Sequence, residues 1–549
     1  MLKQIKTIAA ASLLLVSTVS KAQLTISSGA VFNIQSGAFV TVQGDVTSNA
    51  DITGAGNLIL KGTANQNVNM NGNIIPNLEM DNATNATLTG NLKVGNSVLF
   101  TNGKLIMGSN TATLAVGATA TGMGTSKFFE TNGTGFLRRE FTADVPTAIA
   151  ASLMPVGAGA DYLPVSLTNT GSTYAGASIG VQAKGTADPN KHVRTESFLM
   201  VNWPIDKAGI TGGTTNATGT YVDPTRVIGT EADLRGIYWN GINWSLTGGT
   251  QDNALNTVGA TIASNTGDLY GMNRFLLFDT KVILQGAGYN AVTGLMNDLL
   301  RTNVAYVPGT LPASNFLPTS DPYSTNAEYS SNTNFTRVAN TPTETVTATA
   351  FNDQVIPADN IVDWVFLELR NAATPSVVAQ TRSALLQRDG DVVDIDGVSP
   401  IYFKNVDAGN YLISVKHRNH IAMAMNVANY TQPLGLIKNT QFDFTTTAST
   451  NVLGTALTNY FNGNAKNMLY AGNVNGNTAV RYSGLGNDKD ALLINVLSNV
   501  TTGSVNGYSR GDLNLNRFAR FSGLGNDKDY LLITVLGSTT TNSKTQILP

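Results

Sequence analysis

The feature that most constrains this chain is the shortness of its apolar runs. From Leu24 to about Val116 the side chains alternate in segments of three residues separated by Gly, Asn or Ser, as in Phe32-Asn33-Ile34, Val40-Thr41-Val42, Leu92-Lys93-Val94, Val98-Leu99-Phe100, Leu105-Ile106-Met107 and Leu114-Ala115-Val116. Strands this short do not hold an isolated sheet together, but they suffice when successive coils stack in parallel and bury one continuous inner row. The pattern predicts a β-helix or solenoid over 23–126, with a meandering β-sandwich as the alternative. The triplet Ser28-Gly29-Ala30 returns at Ser36-Gly37-Ala38, so the segment repeats without a clean period.

Composition extends this reading to a mainly β protein. The 549 residues give room for three or four domains. Only 13% of them are charged, against roughly a quarter in ordinary globular chains, and 54 are Gly in a text full of Asn, Thr and Ser, a mixture that favours turns and exposed strands over helices. With 34 Lys and Arg against 36 Asp and Glu, and no basic run, the chain lacks the footprint of a nucleic-acid partner.

Residues 1–22 read as a signal peptide. Lys3 and Lys6 precede the apolar run from Ile8 to Val19, and Ser20 and Ala22 place small residues before Gln23. No later stretch is apolar enough to span a membrane, and the absence of Cys removes disulfides and a lipid anchor. The expected location is secreted or at the cell surface.

Residues 127–280 carry longer, aromatic strands and predict a β-sandwich. Asn240-Gly241 is the preferred type I′ hairpin turn, which would put Ile237, Trp239, Ile242 and Trp244 on one face and Tyr238 and Asn243 on the other. Residues 281–440 predict an immunoglobulin-like or transthyretin-like β-sandwich, with a short helical segment around Leu295 to Leu300, a long polar loop at 311–350, and core strands Trp364 to Leu369 and Tyr411 to Val415. Residues 441–465 read as a linker.

The C-terminal region, 466–549, contains a duplication. Arg481-Tyr482-Ser483-Gly484-Leu485-Gly486-Asn487-Asp488-Lys489-Asp490 returns 39 residues later as Arg520-Phe521-Ser522-Gly523-Leu524-Gly525-Asn526-Asp527-Lys528-Asp529. After each decapeptide, Leu492, Leu493, Val496 and Leu497, and likewise Leu531, Leu532, Val535 and Leu536, fall on one face at helical spacing. Asn487 and Asn526 stand at the N-cap position, so the unit is a loop feeding a short helix, twice. Upstream lie Asn473, Asn475 and Asn477, and Asp512, Asn514 and Asn516. Oxygen side chains at alternate positions are what calcium takes from a tight loop, with a later carboxylate closing the shell. The alternative is a pair of turns in which Asn and Asp bond their own backbone.

Other candidates are weaker. Asp389, Asp391, Asp394 and Asp396 lie within eight residues, either around a second calcium ion or on the solvent face of a hairpin. If His417 and His420 lie on one strand, their spacing of three puts them on opposite faces, against joint metal binding. The four Trp lie in apolar strand text and read as core. No His-Glu-x-x-His, Gly-x-Ser-x-Gly, Walker loop or Cys nucleophile occurs. A glycosidase carboxylate pair is the enzymatic possibility left open.

The duplicated loops resemble those of dockerin-type calcium modules. That resemblance implies Asp512, Asn514 and Asn516 as the first three ligands with Asp527 or Asp529 as the late carboxylate, and in the first copy Asn473, Asn475 and Asn477 with Asp488 or Asp490. Two departures stand out: Asp527 falls sixteenth from Asp512 rather than twelfth, and the first copy has no early carboxylate. More broadly, Asp363-Trp364-Val365-Phe366-Leu367-Glu368-Leu369-Arg370, Thr381 to Asp391, Lys416 to His420 and the terminal repeats resemble the C-terminal part of large hemagglutinin-like secreted surface proteins of Bacteroidota, over about residues 282 to 549. The resemblance implies surface display. The expectation is a non-enzymatic adhesin or matrix protein whose partners are cell-surface or matrix glycans or proteins; the alternative is a polysaccharide-binding accessory protein or glycoside hydrolase component.

Overall fold

The computed structural model describes residues 22–131, 133–144, 153–171, 173–302, 307–338, 343–347, 349–406, 409–426, 432–434, 441–453, 459–461 and 464–549. The expected signal peptide lies outside these residues except for Ala22, as do parts of the expected linker. The protein is mainly β, with 43% strand and 9% helix, and contains a β-solenoid of about 5 turns. Among the described residues no helix is long and apolar enough to cross a membrane. The chain divides into two compact units, 1–242 with 246–272, and 243–245 with 273–549.

The first unit opens with the solenoid. On one face, strands Leu24–Ile26, Val46–Ser48, Gln66–Asn69, Ala86–Leu88, Leu105–Ile106, Phe129–Glu130 and Val156–Ala158 pair in parallel, each with the next. The offset between partners runs from 22 residues (Leu24 to Val46) through 20 (Gln66 to Ala86) and 19 (Ala86 to Leu105) to 24 (Leu105 to Phe129). That drift is why no clean period shows in the sequence. A second face stacks Phe39–Val42, Asn57–Leu60, Ile74–Asp81 and Leu92–Asn102. Val42, Leu60, Met80 and Phe100 form one buried inner column and Leu58, Leu78 and Val98 another. The recurring Ser-Gly-Ala triplets are turns: Ala30 N–H donates to Ser27 O and Ala38 N–H to Gln35 O, with Gly29 and Gly37 at φ +78° and +77°, the left-handed position a type II turn gives to glycine. Parallel stacking runs past 126, to strand Leu137–Phe141, which pairs in parallel with Ala112–Leu114 and antiparallel with Thr173–Val181.

Beyond that switch, Thr173–Val181, Phe198–Thr211 and Thr266–Asn273 continue one antiparallel sheet. Val165–Asn169, Thr215–Thr220, Thr257–Thr261 and Thr250–Asp252 belong to a five-stranded one. Trp203, fully buried, lies against Gly219 of the second sheet, where any Cβ would meet the indole at 2.9 Å. Its Nε1–H donates to Leu163 O at 3.0 Å, so Trp203 is core as expected. The Asn240-Gly241 turn departs from expectation. Only Gly241 has positive φ, whereas type I′ needs it at both positions, and Asn240 Oδ1 instead accepts from Ile242 N–H at 2.9 Å. Ile242 is exposed and Tyr238 buried, the reverse of the expected faces.

The second unit is built on a nine-stranded sheet whose central strands are Val378–Gln387, Ile361–Asn371, Gly409–His417 and His420–Met425. Both faces of Ile361–Asn371 are buried. Trp364 and Phe366 face a cluster holding Leu317, Tyr323, Tyr329 and Phe335, whereas Val365, Leu367 and Leu369 face one holding Leu469, Leu492, Leu513 and Leu531. Segment 311–350, expected as a loop, thus contributes aromatic core residues and two short helices, Pro322–Thr325 and Ala327–Ser330. In place of the helix expected near 295–300, Leu295 bridges to Asn290 and the chain runs on irregularly into a turn at 299–300, with Met296 buried. Residues after 466 share this core.

Candidate metal centre

Each C-terminal decapeptide enters a helical stretch, Asp488–Ala491 then Leu492–Val496, and Asp527–Asp529 then Tyr530–Val535, the second part wound as π-helix. Of the expected apolar face, Leu492, Leu497, Leu531, Val535 and Leu536 are buried, and Leu493, Val496 and Leu532 are half-buried. Asn487 and Asn526 cap these stretches, their Oδ1 atoms accepting from Asp490 and Asp529 N–H at 2.8 Å each.

The four carboxylates separate into two kinds. Asp488 and Asp527 are fully buried. Asp488 Oδ1 accepts from Val474 N–H (2.8 Å) and Asn475 N–H (3.3 Å), and its Oδ2 from Arg481 N–H (2.8 Å). Asp527 repeats this with Leu513 (2.7 Å), Asn514 and Arg520 (2.8 Å). Asp490 and Asp529 stay half exposed beside Lys489 and Lys528, outside the loops. Hydrogen bonds from Asn487 to Asp490, and from Lys528 and Asn526 to Asp529, hold those carboxyls below the usual range.

The early loop positions differ between copies. Asp512 Oδ1 accepts from Asn516 N–H (2.9 Å) and Oδ2 from Arg517 N–H (2.7 Å). Asn514 Oδ1 accepts from Asn516 N–H and Asn516 Oδ1 from Phe518 N–H, two successive Asx turns. Asn475 and Asn477 make the equivalent bonds to Asn477 and Ala479 N–H. Asn473 donates to Asn477 O at 2.9 Å, and its Oδ1 is buried with no donor.

Burial raises all three interior carboxyls: Asp488 to about 7, Asp512 to about 6 against the pull of Arg418, and Asp527 well above its ordinary value, with repulsion from Asp512 added to burial. A hard cation between Asp512 and Asp527 would relieve that repulsion, and the amide oxygens of Asn514 and Asn516 lie in the same loop. Among the described residues no group of three or more His, Cys, Asp or Glu side chains converges at metal-binding spacing. A site here would combine two carboxylates with amide oxygens.

Both loops dock on one hairpin. Asn419 O accepts from Gly472 and Asn473 N–H, while Asn419 Nδ2 donates to Asp512 O at 2.7 Å and Arg510 O at 3.3 Å. The sequence reading missed this hairpin. Arg418 and Asn419 form its turn, so His417 and His420 are cross-strand partners with Nδ1 atoms 2.8 Å apart, rather than residues on opposite faces of one strand. His417 Nε2 contacts Asp363 at 3.0 Å, and His420 Nε2 accepts from Gly286 N–H at 3.0 Å. Burial holds both imidazoles below their usual range. Burial alone would raise Asp363, but Arg418 and His417 hold it at about 2.

The acidic segment 389–396 disperses rather than converging. Asp389 and Asp391 pair with Lys281, Asp394 with the buried Arg382, and Asp396 caps the turn at Val398 and Ser399.

No protein-family model matches the chain, and no curated protein or solved structure is significantly similar to it.

Proposed function

We propose that this chain is a secreted, non-enzymatic adhesin or extracellular matrix protein displayed at the cell surface. In this reading a solenoid stalk leads into β-sandwich domains and a dockerin-like calcium module at 466–549, as in the hemagglutinin-like proteins that the sequence resembles. The carrying observation is the solenoid: about 5 stacked coils make a long, regular surface suited to weak multivalent contacts with glycans or matrix proteins. In the module, Asp512, Asn514, Asn516 and Asp527 hold calcium in the second loop. Asn473, whose Oδ1 is orphaned, holds it more weakly in the first, with Asn475, Asn477 and Asp488. Calcium there neutralises buried charge and ties loop to helix.

The test is a glycan and matrix-protein binding screen run alongside a panel of polysaccharide substrates. Binding without turnover is expected; hydrolysis of a polysaccharide with no cell or matrix binding would replace this reading with the hydrolase alternative.

A further inference from the structure

We infer that the end of the solenoid holds a binding site for a small carboxylate, read by Arg139. The inference rests on the first unit alone and stands apart from the calcium and adhesin readings.

Strand register defines an inner column of Ile75, Val94, Leu114, Arg139 and Ile179, in which each residue pairs with the next. All five are buried, with Arg139 1% exposed. A guanidinium therefore replaces the aliphatic side chain that every neighbouring row supplies. The other buried arginines, Arg301, Arg370, Arg382 and Arg418, each face a carboxylate. Among the described residues Arg139 faces none. Its Nη atoms donate to the carbonyls of Ala118 and Leu153, and its Nε has no partner among the described residues. Burying a cation without an anion costs several kcal/mol, a cost that packing alone does not explain. Burial lowers the group to about 10, so it remains charged at neutral pH.

Beside it lies a cavity of about 160 Å³, bounded by Val116, Gly117, Phe141 and Thr142 with Arg139 and Glu140 in its wall. The nearby carboxylates are engaged elsewhere: Glu140 with Lys93 Nζ at 2.8 Å, and Asp144 with the Tyr174 hydroxyl and Gly171 N–H. One guanidinium matches one monoanion, and its fork suits a planar carboxylate, whereas a dianionic phosphate would leave net negative charge beside Glu140. The carboxylate could belong to a sugar acid or a simple organic acid, and the volume admits either.

The test is thermal shift and calorimetric titration of the full chain with sodium glucuronate, sodium acetate, glucose and inorganic phosphate at constant ionic strength. Glucuronate or acetate should raise the melting temperature saturably, and glucose should not. The stronger of the two acids identifies the source of the carboxylate. Arg139→Gln should abolish the response. Because that position is buried, two further variants keep the test decisive if it fails to fold: Thr142→Trp at the exposed rim should block binding, and Glu140→Gln should tighten it several-fold. No response to either acid, a stronger response to phosphate, or carboxylate binding indifferent to Thr142→Trp and Glu140→Gln would overturn the assignment.

Discussion

The two C-terminal loops share one scaffold and differ at its first position, Asn473 against Asp512, and again at Thr478 against Arg517. Thirty-nine residues apart, Asp488 and Asp527 gather the same backbone N–H groups, and Asn487 and Asn526 cap the same helical turn. At the first loop position the copies part. Asn473 leaves a buried oxygen without a donor, whereas Asp512 is a second buried carboxylate that repels Asp527. The second loop also bends at Leu515 and Arg517 with φ +52° and +72°, conformations that side-chain-bearing residues adopt at a cost, while the first uses Gly476 at +71°. The lesson is that the late Asp is structural in both copies, and the early position decides how much negative charge a loop must offset.

The largest effect should come from the shared element. Asp527→Ala and Asp488→Ala each strand two or three buried backbone donors at about 1–3 kcal/mol apiece, so each should cost about 3 kcal/mol or more. In chelator Asp527→Ala should cost the less of the two, because it also relieves the repulsion from Asp512. Denaturant melts of the full chain measure this, and a larger cost for Asp527→Ala in chelator would contradict that repulsion.

Acidification comes next, and its histidine contribution should not distinguish the loops, because the hairpin serves both. His417 and His420 are neutral when folded, their values held below the unfolded 6.5. A lowered folded value means stability present above pH 6.5 and lost as pH falls below it, because the unfolded state takes up protons first. The slope is at most about 1.4 kcal/mol per pH unit for each histidine that titrates. The buried Asp488, Asp512 and Asp527 act in the opposite sense, because carboxyls raised above their unfolded value take up protons first in the folded state. The histidine contribution is therefore read as a difference: between pH 7 and 5 the melting temperature of His420→Gln should gain on that of the wild type. Parallel profiles for the two proteins would contradict neutral burial.

Asn419→Ala should separate the loops by a smaller margin. Of the two loops its side chain bonds the second alone, its Oδ1 meeting His420 Nδ1 at 2.8 Å, while its backbone carbonyl holds the first, so a loss of about 1–2 kcal/mol should appear as faster amide exchange near 510–517 with 472–477 unchanged. The smallest effect belongs to Leu485→Ser and Leu524→Ser. Both leucines are 96% exposed, so each change should stay within about 0.5 kcal/mol.

The solenoid was legible because three-residue alternation leaves few other ways to bury an inner row. Its extent was not, because the last coils use two-residue strands such as Phe129–Glu130 that carry no pattern. The helical faces after each decapeptide were legible from spacing, and their π winding was not. In 311–350, Tyr323, Tyr329 and Phe335 lie far apart in polar text, and only the sheet they cover makes them core. The histidine pair was misread because Arg418-Asn419 turns the chain without the Gly or Pro that usually marks a hairpin. For the loops, sequence supplied the oxygen atoms but not their use: an Asp that collects backbone N–H groups reads the same as one that waits for a cation.

The most direct test of the proposed asymmetry is the melting curve of the full chain in calcium and in chelator, compared among wild type, Asp512→Asn and Asn473→Asp. Calcium should raise the wild-type transition in proportion to the logarithm of its concentration over Kd. Asp512→Asn should lose most of that rise, and Asn473→Asp should gain a second calcium-dependent increment by giving the first loop the charge it lacks. Superimposable curves with and without calcium in all three proteins would contradict the account and leave both loops as Asx turns that need no ion.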